Sequence, residues 1–367
     1  MKKGLKRSLI AGALALTLLF VASISSMADT IDLNKTCSMT IAPGSETQLE
    51  DLGEANVVYD VYLVASATSI EGYDTYGYKT EAAYADMASV LENEEAVAAL
   101  DNSDWKDLAN QAGEITLLEG STIAKVKDGV PAGEKMEDLK AGLYLVIART
   151  DGLENYVTTV TDEQGNKWVA TIAQSLKYEY TYLPELVSLP TKDPDPETGV
   201  RRTSNAGDWV YDLTGAAMKP TQEDRYGNLE ITKTLDRIES ESPVTFVFHV
   251  TATKTYGNSE VKVYDDVCGL YFDGPGTKTL KIEGKIPVGS QVTVEEIYSG
   301  ASYEVVGDSS KTVKIVPLDE ETASVNFEND YDGGLVPGYG IINEFTYVET
   351  EAGSAEWVLS NQTPAQD

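Results

Sequence analysis

The stretch Gly227-Asn228-Leu229-Glu230-Ile231-Thr232-Lys233-Thr234-Leu235 decides the fold of the second half of the chain. Side chains alternate across a β-strand, so Lys233 shares one face with Ile231 and Leu235. An apolar face of this kind turns toward a core, and the lysine therefore points inward. A buried ammonium is costly unless it is paired, so the strand predicts polar partners within the same core.

Two later stretches supply candidate partners. Glu296 follows Val294 by two positions, and Asn329 follows Phe327 by two positions, each within a run of alternating apolar residues. The alternation aims one carboxyl and one amide at the core that receives Lys233. One explanation is needed for all three inward polar groups, because burying any of them alone costs free energy.

The three groups fit one reaction. An amine that burial has deprotonated can attack the side-chain amide of Asn329, while Glu296 polarises the carbonyl and moves protons as ammonia leaves. The product would be an isopeptide bond from Lys233 to Asn329, which joins the first and last strands and removes the buried charge. The alternative is that each residue lies near a sheet edge and reaches water with its polar end.

Residues 1–28 predict a secretory signal peptide. Four basic residues precede an apolar run, and the small-x-small sequence Ser26-Met27-Ala28 marks a cleavage site before Asp29. The apolar run Leu9–Ala22 is shorter than the roughly 20 residues that a spanning helix needs. We therefore expect a secreted, extracellular protein with no membrane span after cleavage.

Acidic residues dominate the charge. The 367 residues include 60 Asp and Glu against 28 Lys and Arg, a formal net charge of −32. Such a surface repels phosphate backbones and anionic lipids, so the composition argues against nucleic acid and membrane surfaces as partners. Cys37 and Cys268 fall in different halves of the chain and are interpreted as buried free thiols.

Enzyme chemistry finds little support in the sequence. The single histidine, His249, alternates onto the solvent side of its strand, and no second imidazole exists for a Ser-His-Asp or zinc site. The acidic loop at 192–208 lacks the Asp-x-Asp-x-Asp-Gly spacing of a calcium site. We therefore expect no metal, no cofactor and no enzyme activity beyond the single intramolecular reaction. A hydrolase that relies on paired carboxylates is kept as an alternative.

Short alternating segments predict a mainly β fold with two tandem Ig-like or prealbumin-like β-sandwiches. The first would span residues 29–224 and carry a helical insertion at about 80–112 that Thr80 caps. The second, antiparallel, would span 227–331, and a closing hairpin and tail would follow at 332–367.

Strands are predicted in both regions from their β-branched and aromatic residues. Those of the first region are Ile31–Ile41, Val57–Ala65, Gly142–Ala148, Tyr156–Thr161, Trp168–Ala173 and Tyr178–Leu189. Those of the second are Leu229–Leu235, Val244–Ala252, Glu260–Val263, Thr279–Ile282, Gln291–Glu296, Tyr303–Val306, Thr312–Val316 and Ser324–Tyr331. In the hairpin, Phe345 and Tyr347 are predicted in register with Trp357 and Leu359.

Three short motifs of the second region carry a family resemblance. They are Thr-Lys-Thr at Thr232–Thr234, Val-Thr-Val-x-Glu at Val292–Glu296 and Phe-x-Asn at Phe327–Asn329. In these motifs the region resembles the isopeptide-forming domains of Gram-positive pilins and collagen-binding-type B repeats. The resemblance implies that Lys233 and Asn329 are the bonded pair and that Glu296 is the assisting acid.

The first region resembles the N-terminal domain of sortase-assembled pilins. The similarity rests on Gly142-Leu143-Tyr144, on Leu186-Val187-Ser188-Leu189-Pro190 and on Trp209-Val210-Tyr211-Asp212-Leu213. It implies a pilin or fimbrial surface protein with other pilus or cell-wall proteins as partners.

Two lysines of the first region depart from the family pattern. Lys219 lies one residue further from Trp209 than the linking lysine of the pilin motif, which leaves it a candidate sortase acceptor that does not match the motif. Lys35 lies on a predicted apolar face like Lys233, but Ala148 and Pro220 stand where its partners are expected. Lys35 therefore lacks the carboxyl and amide partners that the predicted reaction needs.

The end of the chain also departs from the pattern. Residues 360–367 carry no Leu-Pro-x-Thr-Gly signal, apolar helix or basic tail. We expect the chain to join a polymer only as an acceptor or by noncovalent association, as a structural or adhesive protein of the cell surface. The alternative is a secreted module that binds a host protein or a glycan, with Tyr73, Tyr76 and Tyr78 as its candidate surface.

Overall fold

The computed structural model describes residues 31–45, 49–118, 123–192, 209–238, 243–300, 302–318, 320–332, 345–349 and 355–359. The predicted signal peptide, residues 193–208 of the predicted acidic loop and the C-terminal residues 360–367 lie outside these ranges. Within them, no helix has both the length and the apolar character needed to cross a membrane.

The fold is mainly β with several sheets and a small helical insertion, as the sequence predicts. The strands of the first part are β1 (Cys37–Ala42), β2 (Val57–Ser69), β3 (Tyr76–Thr80), β4 (Lys127–Pro131), β5 (Lys135–Leu139), β6 (Gly142–Thr150), β7 (Val157–Thr161), β8 (Lys167–Gln174), β9 (Tyr178–Tyr182), β10 (Glu185–Leu189), β11 (Thr191–Lys192), β12 (Trp209–Val210), β13 (Asp212–Ala217) and β14 (Thr221–Asp224). Its helices are α1 (Ala88–Leu91), α2 (Glu94–Ala99) and α3 (Asn102–Leu117), with 3-10 turns at Leu52–Ala55 and Ala82–Met87.

The remaining strands form the second part and the hairpin. They are β15 (Tyr226–Leu235), β16 (Val244–Tyr256), β17 (Ser259–Phe272), β18 (Gly276–Pro287), β19 (Gln291–Tyr298), β20 (Tyr303–Val305), β21 (Ser310–Lys314), β22 (Ala323–Tyr331), β23 (Phe345–Glu349) and β24 (Ala355–Leu359).

The central sheet of the first sandwich, with strand order β10-β6-β2-β3 and β4 also paired to β2, is buried on both faces. On one face, Val61 and Tyr144 pack into a core with the sheets β13-β1-β5 and β14-β9-β8-β7. On the other face, Tyr62 and Leu145 pack against the helices. Because both faces are buried, β2 and β6 are almost continuous apolar runs instead of alternating ones.

The helical insertion differs from the predicted one in its start and its continuity. Thr80 ends strand β3 and does not cap a helix; its Oγ1 donates to Glu92 Oε1 over 2.5 Å. The predicted first helix is instead a 3-10 turn followed by the four-residue α1, and Tyr84 within the turn has non-helical backbone angles. The longest helix, α3, begins after Asp101, whose carboxylate accepts from the backbone N of Asp104 over 3.0 Å.

Strand β1 begins six residues later than predicted. The backbone N of Asn34 donates to Asp32 Oδ1 over 2.9 Å. The backbone N of Lys35 donates to the backbone carbonyl of Asp32 over 3.2 Å. This turn uses backbone N–H groups that would otherwise pair with a neighbouring strand. The strand therefore begins only at Cys37. The predicted strand Tyr178–Leu189 is likewise divided into β9 and β10.

The second sandwich consists of two four-stranded sheets around one core. The strand orders are β18-β15-β22-β20 and β17-β16-β19-β21. The prediction of an all-antiparallel sandwich is wrong at one pair, since β15 and β22 are parallel neighbours, with Lys233 opposite Phe327 and Leu235 opposite Asn329. Strand β17 extends far beyond the predicted Glu260–Val263, because its exposed acidic residues hide the alternation of an edge strand.

Strand β14 connects the two sandwiches. It pairs with β9 of the first sandwich and continues through Arg225 into β15 of the second. Arg225 donates from its backbone N to Lys177 O over 2.9 Å and accepts at its carbonyl from Val288 N over 2.7 Å. The almost fully buried Lys254 places its Nζ 2.6 Å from Asp224 Oδ1 and 4.4 Å from the ring centroid of Tyr178. The connection is therefore hydrogen-bonded to both sandwiches.

The C-terminal hairpin has the predicted register. Phe345 lies opposite Leu359, and Tyr347 lies opposite Trp357, in an antiparallel pair of β23 and β24.

Candidate functional site

The buried polar group of the second sandwich brings together Lys233, Glu296 and Asn329. Lys233 and Asn329 have no exposed surface, and Glu296 is 6% exposed. Lys233 projects from β15 and Asn329 from the neighbouring β22, whereas Glu296 projects from β19 in the opposite sheet. The three inward positions predicted from alternation are confirmed, and they meet at one point of the core.

The contacts within this group are direct. Lys233 Nζ donates to both carboxylate oxygens of Glu296, over 3.0 Å and 2.8 Å, and also to Asn329 Oδ1. Asn329 Nδ2 donates to Glu296 Oε1 over 2.6 Å. The amine therefore lies against the amide carbonyl while the carboxylate contacts both nitrogens.

Two further contacts complete the group, and sequence reasoning missed both. The backbone carbonyl of Ser299 accepts a second hydrogen bond from Asn329 Nδ2 over 3.1 Å. The ring of Phe246 lies 4.7 Å from Lys233 Nζ. A backbone carbonyl leaves no side-chain signal in a sequence, whereas Phe246 is visible there as an inward residue of its strand.

The surroundings favour the neutral amine. Burial lowers the pKa of the Lys233 ammonium, and the hydrogen bond and charge of Glu296 oppose that shift without overcoming it. Phe246, Phe248 and Phe327 are among the largest buried side chains of this core. The neutral amine is the nucleophilic form of lysine, so the lowered pKa of Lys233 favours its reaction with a neighbouring carbonyl.

The lysine of the first sandwich that was compared with Lys233 in the sequence does not lie in a core. Lys35 is exposed in the turn before β1, with its Nζ 4.2 Å from the ring centroid of Tyr211, so its expected inward position is wrong. Ala148 is fully buried and Pro220 partly buried. Lys219 is exposed after the end of β13.

The first sandwich buries a different charge cluster. Asp60 is fully buried, and its carboxylate accepts from Arg149 Nε over 2.9 Å, from Arg149 Nη2 over 3.1 Å and from the backbone N of Gly129 over 2.9 Å. Lys125 Nζ lies 3.0 Å from its Oδ2. These hydrogen bonds and charges outweigh burial and lower the pKa of Asp60, although burial is the largest single influence and acts to raise it. Burial acts to lower the pKa of the neighbouring Lys125 ammonium, but the hydrogen bonds and charges of Asp128 and Asp60 outweigh it and raise that pKa, and arginine stays charged, so this cluster holds ion pairs.

The candidate tyrosine surface is largely absent. Tyr76 is fully buried and Tyr78 is 4% exposed, since both belong to β3 and pack beneath the helices; Tyr73 is 55% exposed. The hypothesis of three exposed aromatic rings is therefore wrong.

His249 lies on the outer side of β16, with Nε2 2.7 Å from Asp265 Oδ1. Both cysteines are free thiols; Cys37 is buried as predicted, whereas Cys268 is only half-buried, so its predicted burial is wrong.

No set of three His, Cys, Asp or Glu side chains suited to a metal ion occurs among the described residues.

A comparison with family models gives a match within the second sandwich. The family DUF5979, a domain of unknown function, matches residues 229–332, from within β15 to just beyond β22. Comparison with curated proteins found no match.

Several solved structures are similar to the chain at low identity. The pilus-presented adhesin Spy0125 is 14% identical, with 56% of this chain and 38% of that chain covered and a TM-score of 0.21. GBS52, the minor pilin of Streptococcus agalactiae, is 12% identical, with 81% and 95% covered and a TM-score of 0.21. The major pilin from Streptococcus pyogenes is 12% identical, with 81% and 97% covered and a TM-score of 0.18. The chain thus spans 38% of the length of the adhesin.

Proposed function

We propose that this chain is an exported, pilin-like structural or adhesive protein of the cell surface, whose second sandwich is stabilised by an autocatalytic isopeptide bond between Lys233 and Asn329. The observation that carries the proposal is the contact of Lys233 Nζ with both the Asn329 amide and the Glu296 carboxylate inside an apolar core. The predicted signal peptide, the acidic composition and the pilin-like motifs of the sequence support a location at the cell surface.

The reaction balances within these three side chains. Lys233 passes one proton to Glu296, and the resulting amine attacks Cγ of Asn329. Glu296 then donates to the departing nitrogen and recovers a proton from the attacking one, as the Cγ–Nδ2 bond breaks and the Nζ–Cγ bond remains. One molecule of ammonia leaves, and the proton of the initial ion pair stays on Glu296 or departs with ammonia as ammonium. The buried positive charge is removed in the process.

Ser299 and Phe246 would assist this reaction by position. The Ser299 carbonyl and Glu296 hold the amide nitrogen, which turns the amide carbonyl toward Lys233. The Phe246 ring shields the amine from water, and such burial lowers the pKa of the Lys233 ammonium.

The bond would suit a protein that bears tension. Lys233 and Asn329 are 96 residues apart and lie on neighbouring parallel strands near the two ends of the domain sequence. Force applied to the ends of this segment would meet a covalent bond before it could separate β15 from β22. An adhesive or fibrous surface protein needs such resistance.

The experiment is an intact-mass measurement on the purified, folded chain. The wild type should be lighter than its sequence mass by one ammonia, and a branched peptide that contains Lys233 and Asn329 should appear after digestion. Lys233→Ala should restore the full mass, whereas the exposed Lys35→Ala should keep the deficit. A folded wild type of full mass would overturn the proposal, and a deficit of two ammonia molecules would reveal a second cross-link.

A further inference from the structure

A cleft on the first sandwich, here called the α3 cleft, lies apart from the cross-link site. It is a space of about 470 Å³ between α3 and the turn that joins β7 to β8. Its polar wall includes Ser103, Asp107, Gln111, Glu114, Asp162 and Gln164. Beside it is an apolar niche walled by Trp105, Ala109, Trp168, Pro184 and Leu186. Lys106, Asn110 and Trp168 line both spaces, which makes them two ends of one site.

Close packing beneath the cleft holds its walls in place. A Cβ atom added at Gly113 would lie 2.7 Å from both Pro184 Cγ and Val169 Cγ1, so only glycine lets α3 approach β8 this closely. Asn110 Oδ1 accepts the backbone N of Val169 over 2.7 Å and ties the helix to the strand. The cleft is therefore a built feature of the scaffold.

The indole of Trp168 is oriented as one wall of this cleft. Its Nε1 donates to Asp162 Oδ2 over 3.1 Å, and Lys106 Nζ lies 3.9 Å from its ring centroid. Asp162 is in turn held by the backbone N of Asn166 over 2.8 Å. The half-exposed indole of Trp168 is thus held by a hydrogen bond and offers a flat apolar surface, on which a stacked ligand would take the place of Lys106 Nζ.

A second tryptophan leaves a polar atom without a partner. Trp105 is 3% exposed, and its Nε1 has no hydrogen-bond acceptor within the described residues. Buried indole N–H groups are normally satisfied. The niche beside Trp105 measures about 20 Å³, enough for one oxygen-sized group, and a hydroxyl there could accept this hydrogen bond.

The composition of the cleft selects the ligand. One end of the cleft is lined by aromatic and aliphatic groups, and the other end by amide, hydroxyl and carboxylate groups. A molecule with an apolar face and a rim of hydroxyls matches this arrangement. The carboxylates of Asp107, Glu114 and Asp162 outnumber the ammonium groups of Lys106 and Lys167, which disfavours sialylated or sulfated ligands. The volume lies within the range of about 300–1,000 Å³ typical of small-molecule sites.

We propose that the α3 cleft binds a neutral oligosaccharide, with one sugar ring against Trp168 and a hydroxyl directed at Trp105 Nε1. This site is independent of the isopeptide bond proposed above. It also differs from the tyrosine segment at residues 73–78, where two of the three rings are buried.

The test uses the full chain and a defined panel of sugars. Maltotriose, cellotriose, chitotriose and N-acetyllactosamine are the neutral probes, and sialyllactose and a heparin disaccharide are the anionic ones. Saturation-transfer NMR and tryptophan fluorescence report binding. At least one neutral probe should bind, and Trp168→Ala and Gln111→Ala should each weaken that binding by roughly tenfold or more.

Matched variants keep the result interpretable. Tyr73→Ala removes an exposed aromatic residue outside the cleft and should leave binding unchanged. Gln111 is only half-buried on the surface of α3, so its variant tests the site even if Trp168→Ala fails to fold. Failure of all neutral probes, binding of the anionic probes alone, or undiminished binding in Gln111→Ala would overturn the proposal. None of these results depends on the mass of the cross-linked chain.

Discussion

Asn329 donates from Nδ2 to Glu296 Oε1 over 2.6 Å, across the core between two facing sheets. This hydrogen bond fixes which end of the amide meets Lys233. Its carbonyl faces the amine, and its nitrogen, the group that would leave, faces the carboxylate that would protonate it. Removal of Glu296 would leave the amine and the amide without a group to move protons between them, whereas removal of Asn329 would leave Lys233 and Glu296 as a buried ion pair.

Glu296→Gln should therefore give a chain of full sequence mass. The substituted amide keeps the size of the side chain but cannot take the proton of Lys233 or pass one to the departing nitrogen. The control is Glu295→Gln, an exposed residue on the other face of the same strand. It should retain the one-ammonia deficit; if Glu296→Gln retained it too, Glu296 would have no part in the reaction.

Asn329→Ala should lower the free energy of unfolding of the second sandwich substantially. A cross-link between residues 96 positions apart restricts the unfolded chain much as a disulfide does. By the loop-entropy relation its loss costs about 4–5 kcal/mol, before the cost of leaving Lys233 and Glu296 as a buried ion pair. Denaturant unfolding of the variant, with Asn326→Ala on the exposed side of β22 as control, measures the difference. A change below about 1 kcal/mol would contradict a covalent bond at this site.

Strict alternation made the centre of the site predictable. Lys233, Glu296 and Asn329 each belong to strands with only one buried face, so their position in the pattern settled their direction. The parallel pairing of β15 with β22 could not be inferred in this way, since alternation does not say which strands are neighbours.

Other errors have local causes. Lys35 shared an apparent apolar alternation with Cys37, but the turn at Asp32 interrupts the strand before it reaches the lysine. Tyr76 and Tyr78 alternate with polar residues, which is itself a strand pattern, and their burial depends on helices that cover the sheet from another part of the sequence. Contacts of this kind, between distant segments, are not encoded in a local pattern.

Glu185 should make the first sandwich less stable as the pH rises. Burial raises the pKa of its carboxyl to about 8 from an ordinary value near 4.5, and the charge of Lys219 opposes this shift. The folded state thus holds a proton that the unfolded state releases between these two values, so the stabilising contribution is present below pH 4.5 and is lost as the pH rises through about 8.

Glu185→Gln should remove this dependence. The melting temperature of the variant should exceed that of the wild type at pH 9 and match it more closely at pH 5, with a gain of about 1–3 kcal/mol at the higher pH. The exposed Glu137→Gln serves as the control and should follow the wild type at both values. Parallel pH profiles for all three proteins would show that the Glu185 carboxyl ionises without cost.

Asp60→Ala should destabilise the first sandwich by about 3–5 kcal/mol, because it leaves the guanidinium of Arg149, only 12% exposed, without its buried partner. Asp128→Ala is the matched control. That carboxylate contacts the same Lys125 over 2.6 Å but is 71% exposed, so its loss should cost less than about 1 kcal/mol. Thermal and denaturant unfolding distinguish the two, and equal effects would mean that the burial of Asp60 contributes nothing.

Asp224→Ala should loosen the connection between the two sandwiches. Lys254 is 3% exposed and belongs to the second sandwich, whereas Asp224 ends the strand that pairs with β9 of the first. Without the carboxylate, the ammonium lies beside Tyr178 with its charge unpaired, and it gains hydration only if the sandwiches separate. We expect the free energy of unfolding to fall by about 1–3 kcal/mol and the radius of gyration in small-angle scattering to rise.

Asp265→Ala removes an exposed ion pair with Lys262 within the second sandwich and should change neither quantity. An unchanged scattering profile for Asp224→Ala would mean that β14 and the backbone contacts of Arg225 hold the orientation by themselves.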